Sequence, residues 1–157
     1  MTDIAARIAE VEAQERDLVL ARFTNDDAWQ LGSTLVGLAR DRGLPVTIDI
    51  TRGEQQLFHA ALDGTAAHND RWVTRKVNTV REFGISSHLA GLRAAVNGNA
   101  FEEAPWIDPL VYAGHGGAFP IAVRDVGVVG TVTVSGLPQR DDHDLAVEGI
   151  RSLLASQ

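Results

Sequence analysis

The chain contains no cysteine. That excludes disulfides, thiolate nucleophiles and cysteine-ligated metals, and it is the usage expected in a reducing compartment such as the cytoplasm. No run of 18 uncharged apolar residues occurs, and the opening stretch MTDIAARIAEVEAQ carries acidic residues without a continuous apolar core. Neither a membrane span nor an export signal is expected. Positive charge is in deficit: 14 Lys and Arg face 21 Asp and Glu, for a net charge of −7. Nucleic acid and anionic membrane surfaces depend on basic patches, so neither is an expected partner. Internal repeats and low-complexity segments are also absent.

What remains is ordinary for a globular domain. The chain has 157 residues, 45% hydrophobic and 22% charged, enough for one domain over 1–157 with a sizeable core. The most informative stretch runs from Tyr112 to Gly136. Phe119 to Val123 and Val128 to Ser135 are β-prone runs separated by Arg124, Asp125 and Gly127, the pattern of a hairpin. Pro120 lacks an N–H and is expected at a strand start or a sheet edge. Gly130 inside the second run indicates close backbone approach or a bulge.

The rest of the chain supplies helices and a second hairpin. Ile4, Ile8 and Val11 give one apolar stripe on a helix ending near Gln14. Leu18 to Phe23 is a strand candidate. Asn25 or Asp26 caps a second helix ending near Gly43, with Leu31, Leu35 and Leu38 on its inner face. Val46 to Ile50 and Gln56 to Leu62 flank a turn at Arg52 to Glu54. A third helix from about Asp70 to Phe83 buries Val73, Val77 and Val80, leaving Arg71, Arg75, Lys76 and Arg81 at polar positions. Ser86 or Ser87 caps a fourth helix. After an irregular, proline-containing Ala100 to Pro109 segment and the central hairpin, a last helix runs to about Ala155. Paired hairpins interleaved with helices predict an α+β architecture, a mostly antiparallel sheet of about five strands flanked by helices.

These residues also carry a resemblance. Gly43 to Ile50 (GLPVTIDI), the helix containing Lys76, Thr79 and Phe83, Gly116 to Ile121 (GGAFPI), and Gly127 to Gly136 followed by Asp141 to Gly149 stand in one order from Asp26 onward. They resemble the heme-degrading-domain family, the HbpS-like and GlcG-like group that includes the C-terminal domain of PduO-type proteins, and within it the short cytosolic branch. The resemblance implies a central antiparallel sheet, assembly into homo-oligomers (dimers or larger rings), and, in some relatives, binding of heme or a part in corrinoid metabolism. Heme or a related tetrapyrrole is therefore the candidate cofactor.

Candidate site residues follow from side-chain chemistry. Gly114, Gly116 and Gly117 allow positive φ, so their N–H groups are able to converge on an anion, with His115 as a titratable partner. The alternative is a tight loop entering a strand. Arg75 and Lys76 form a basic wall for carboxylate or phosphate, or a solvated helix face. His88 follows two serines at a helix start, where capping is the competing role. Asp141, Asp142, His143 and Asp144 have metal-ligand chemistry, yet adjacent helical residues point different ways and acidic residues favour a helix N-terminus; no metal site is expected. No complete catalytic set is present. A ligand site is expected where His115, Gly116, Gly117, Arg75, Lys76 and His88 meet. Three functions remain open: a small-molecule-binding module, a structural or adaptor protein acting through its oligomeric surface, and an enzyme on a heme- or corrinoid-related compound.

Overall fold

A computed structural model describes residues 2–157. Five strands, β1 (Val19–Leu20), β2 (Thr47–Arg52), β3 (Gln55–Ala61), β4 (Ala118–Val123) and β5 (Gly127–Ser135), form one sheet in the order β1-β4-β5-β2-β3. All pairs are antiparallel except β1 with β4, which is parallel. Five helices pack around it: α1 (Thr2–Asp17), α2 (Asn25–Arg42), α3 (Ala67–Phe83), α4 (Ser87–Val96) and α5 (Gln139–Ala155). The expected α+β class and element order hold.

Strand alternation explains why helices cover both sheet faces. Ile48, Ile50, Phe119, Ile121, Val132 and Val134 point to one face and form the main core with Leu31 and Leu35 of α2 and Ile150 and Leu153 of α5. The intervening residues Thr47, Asp49, Thr51, Thr131, Thr133 and Ser135 are polar, yet all are buried. In register they sit opposite one another, Thr47 with Ser135, Asp49 with Thr133 and Thr51 with Thr131. The sheet therefore has one apolar face and one hydroxyl-rich face, and α3 lies over the second.

Several local expectations are corrected. The first helix extends to Asp17, and the strand expected over Leu18 to Phe23 shrinks to two residues. The cap of α2 is Thr24, whose Oγ1 accepts from the Asp27 N–H at 3.1 Å while Asp27 accepts in return from the Thr24 N–H at 2.8 Å, a capping box. Helix α3 starts three residues before Asp70. Lys76 is not a solvated position: it is 3% exposed. Pro120 sits where β1, paired only with Ala122 and Val123, leaves β4 without a neighbour on that side, so its missing N–H costs no ladder bond.

Close backbone approach sets where the site loop lies. A Cβ on Gly91, in α4, would stand 1.9 Å from the Gly114 carbonyl oxygen, whereas one on the exposed Gly37 of α2 would meet nothing within 4 Å. Gly91→Ala is expected to destabilise the chain by about 2 kcal/mol, through overpacking against backbone that cannot yield. Gly37→Ala is expected to stabilise it by about 0.5–1 kcal/mol through helix propensity. Urea unfolding of the two variants checks the opposite signs.

Candidate functional site

A cleft of about 290 Å³ opens between the first half of α3 and the connection from β5 to α5. Residues 68, 72 and 76 are spaced by four and share one helical face, so His68, Trp72 and Lys76 form one wall. His115 enters from the loop before β4, and Gln139 and Asp142 come from α5.

At the base, Lys76 Nζ donates to Asp142 Oδ2 at 3.1 Å and to the Val134 carbonyl at 3.2 Å. Asp142, 2% exposed, also accepts from the Leu137 N–H at 2.9 Å and the Gly136 N–H at 3.3 Å. Burial lowers the pKa of the Lys76 ammonium, with the Asp142 charge opposing. Burial raises that of Asp142, with Lys76 and the two amides opposing. Desolvation disfavours both charged forms and the mutual contact restores them.

The mouth is aromatic. Trp72 Nε1 donates to His68 Nε2 at 3.1 Å. The Arg75 guanidinium lies 4.1 Å from the Trp72 ring, within cation–π range. His115 packs edge-on to Trp72 with centroids 5.1 Å apart, and its Nε2 is 3.2 Å from Glu102 Oε1.

The expected convergence is met in part. His115 and Lys76 line the same cleft. Arg75 touches it only through Trp72 and borders a neighbouring groove with His68, Arg71 and Leu110. His88 stands behind the loop rather than in the cleft: it is 4% exposed, and its Nδ1 lies 3.1 Å from where a Cβ on Gly116 would be. Its Nε2 accepts from Arg7 Nε at 3.1 Å. The glycine-loop amides do not form an open anion nest. The Gly114 N–H is taken by Glu102, that of Gly116 by Gln139 and that of Ala118 by Ser87 Oγ. Glycine is required here by proximity: a Cβ on Gly116 would fall 2.2 Å from the Gln139 carbonyl oxygen, and one on Gly117, at φ +144°, 2.7 Å from Lys76 Nζ.

The acidic cluster at the start of α5 divides as helical geometry requires. Asp141 is exposed, Asp142 turns to Lys76, His143 is fully buried, and Asp144 pairs with Arg7 at 2.7 Å. Among the described residues no group of three or more His, Asp or Glu side chains is arranged to hold a metal. Ser86, not His88 or a nucleophile, defines the start of α4, with Oγ accepting from the Leu89 N–H at 3.1 Å. Sequence reasoning missed Asp142 and Gln139 as cleft residues. A signal existed for the inward turn of Lys76: Val73, Lys76, Val77 and Val80 fall at i, i+3, i+4 and i+7.

The architecture is an α+β sandwich carrying a polar, aromatic-rimmed cleft at the end of its hydroxyl-rich face. A family model described as "Haem degrading protein HbpS-like" matches residues 23–151, and the chain belongs to that HbpS-like family. It is 57% identical over 150 residues to UPF0303 protein SCO2848 of Streptomyces coelicolor, covering 96% of this chain and 95% of that one. It is 47% identical to a UPF0303 protein of Acidobacterium capsulatum over 96% and 91% of the two chains. The crystal structure of Ybr137w protein superposes with a TM-score of 0.87 at 32% identity, covering 96% and 89%. At 18% identity the PduOC:heme complex shares the fold alone, with a TM-score of 0.70 over 83% and 94%.

Behind the site, burial pushes His88 down to about 4 and His143 down to about 2, with the Arg7 charge adding to both. Both histidines are neutral when folded and take up a proton on unfolding below their ordinary value. Stability is therefore full above pH 6.5 and falls as pH drops toward 4. Between pH 6.5 and about pH 5 the expected loss is roughly 2–3 kcal/mol. Urea titrations across this range check it. His88→Gln with His143→Asn is expected to flatten the slope, and an unchanged slope would assign the pH dependence to other groups.

Proposed function

We propose that this chain is a small-molecule-binding module whose ligand enters the cleft between α3 and the β5–α5 connection. The observation that carries the reading is the meeting of Lys76, Trp72 and His115 on one cavity. A buried ammonium at the base, the Gln139 side chain and an aromatic rim suit a planar ligand with a carboxylate edge. Membership of the HbpS-like family makes heme or a related tetrapyrrole the candidate. The cavity, about 290 Å³, lies at the small end of ligand pockets. A macrocycle would therefore be held by one edge: Gln139 and Lys76 facing a carboxylate, Trp72 and His115 against the ring. Iron and the macrocycle would supply the redox or ligand-exchange chemistry; the chain's own residues bind and orient. The cysteine-free composition fits a cytoplasmic protein, and none of the described helices is long and apolar enough to cross a membrane.

A second reading rests on a different surface. Trp106 is 78% exposed and lines a groove with Phe83 and Phe101, an apolar surface of a kind that marks protein contacts. It supports assembly into a homo-oligomer and an adaptor role for the assembled surface.

Absorbance titration with hemin decides between them. The expected result is a saturable, shifted Soret band, weakened about tenfold or more in His115→Ala and in Trp72→Ala, a loss of about 1.4 kcal/mol or more in binding. No shift, or one indifferent to both variants, would overturn the tetrapyrrole reading and leave the interaction surface as the function.

A further inference from the structure

A second cavity, of about 500 Å³, lies along the same helix between α3 and the β2–β3 hairpin. Its lining carries three carboxylates, Asp49, Glu54 and Asp70, against Arg81 and His59. Asp49, on the central part of β2, is 3% exposed. Its carboxylate accepts from Gln56 Nε2 at 2.7 Å and faces His59 Nδ1 at 2.9 Å. Among the described residues its one ion-pair partner is His59, with no Lys or Arg. The other ring nitrogen of His59 faces a second carboxylate, Asp70, at 3.1 Å. Glu54 adds a third at the rim, and Arg81, which also lines the cavity, is bonded to the Gly53 carbonyl.

Two further features distinguish this place from a solvated acidic patch. Thr51, 8% exposed, lines the cavity, and its Oγ1 is buried without a hydrogen-bond partner. A buried hydroxyl without a partner leaves a desolvation cost of about 1–3 kcal/mol uncompensated. Opposite it, Val73 and Val77 of α3, 6% and 4% exposed, give an apolar wall. A buried carboxylate with no Lys or Arg partner, a buried hydroxyl without a hydrogen-bond partner and an apolar wall together call for a ligand with a positive head and a hydrocarbon body. A metal ion suits the place less well: both His59 nitrogens are occupied by carboxylates, and no metal-binding group of three is formed among the described residues.

We propose that the cavity between α3 and the β2–β3 hairpin is a binding site for a small aliphatic primary amine, its ammonium held by Asp49 and Thr51 and its chain lying on Val73 and Val77. The ammonium donates three hydrogens and accepts none, and the unfilled groups here accept. Asp70 and Glu54 supply the field that concentrates cations at the mouth. The site is separate from the Lys76 cleft, so failure of either reading leaves the other standing.

The probe is n-butylammonium chloride, added to the full-length protein and followed by ¹H–¹⁵N NMR. Saturable shifts centred on Thr51, His59 and Val77, with millimolar affinity, are expected. Asp49→Asn is expected to weaken binding about tenfold or more. Because Asp49 is buried and that variant is at risk of misfolding, Thr51→Val and Glu54→Gln are run beside it; Thr51→Val is expected to weaken binding several-fold with the spectrum otherwise preserved. The absence of saturable shifts up to about 50 mM, weak even for a fragment, would overturn the proposal. So would equal shifts with sodium butyrate, which has the same chain and the opposite charge. Magnesium chloride giving the same shifts at lower concentration would overturn it in favour of a metal site.

Discussion

The chain contains a single lysine, and it is spent on a buried ion pair. Every other cationic side chain is an arginine. Lys76 and Asp142 join the middle of α3 to the first turns of α5 across the end of the sheet, 3.1 Å apart and almost without solvent. Such a pair is stable only when its remaining hydrogen-bonding capacity is also filled. The Val134 carbonyl takes a second hydrogen of the ammonium, and the Gly136 and Leu137 amides fill the capacity of the carboxylate. A compact ammonium suits this geometry better than a guanidinium fork, because its partners are a carbonyl and one carboxylate oxygen rather than a planar bidentate acceptor. The path of the β5–α5 connection, the position of Gly117 above Nζ and the base of the cleft all follow from this contact.

The pair matters because the face that α3 covers is a poor surface for packing. On the other side of the sheet, isoleucine, valine and phenylalanine meet α2 and α5 in a continuous apolar core. Beneath α3 the sheet offers threonine, serine and aspartate. Val73, Val77 and Val80 cover part of it, yet the hydroxyls of Thr47, Thr51 and Thr133 remain buried without partners. Hydrophobic burial alone holds α3 less firmly than it holds α2. The ion pair, together with the Thr79 hydroxyl donating to the Ala113 carbonyl at 2.9 Å, anchors it. Both cavities discussed above lie on this face. A layer whose polar groups are incompletely satisfied by the fold retains capacity for a ligand.

How much of this was legible in the sequence depended on whether the signal was periodic or spatial. The central hairpin was readable from β-branched residues alternating about Arg124 and Asp125, and so was the second hairpin about Gly53. The resemblance carried by GLPVTIDI, GGAFPI and GVVGTVTVSG led to the family. The site was legible only in outline. His115 and Lys76 are expected together, but charge alone offers Lys76 only a basic wall or a solvated face, whereas its place beside the Val73–Val77–Val80 stripe turns it inward. His88 was included by chemistry, and tertiary packing put it behind Gly116 with Arg7 and His143. That outcome requires α1 to reach α4 and α5, a contact between residues 81 apart in sequence that no local pattern encodes. The composition of the glycine loop permits either an anion nest or a tight loop entering a strand; the structure uses these glycines to bring three backbone segments together.

Helix α3 forms a wall of each cavity. Its residues 68, 72 and 76 face one, and residues 70, 73 and 77 face the other. The faces differ in chemistry as the helical period dictates: an aromatic face with histidine and lysine on one side, and on the other two valines among Asp70, Thr74, Asn78 and Arg81. A helix shared in this way cannot move toward one ligand without withdrawing from the other, unless the Lys76–Asp142 contact breaks. Parting that pair would leave a charge buried without its counterion, at a cost of about 3–5 kcal/mol. That is larger than the differential affinity through which a small ligand commonly shifts a conformational equilibrium, about 1–3 kcal/mol. The ion pair thus keeps α3 a fixed partition, and the two cavities are expected to fill independently.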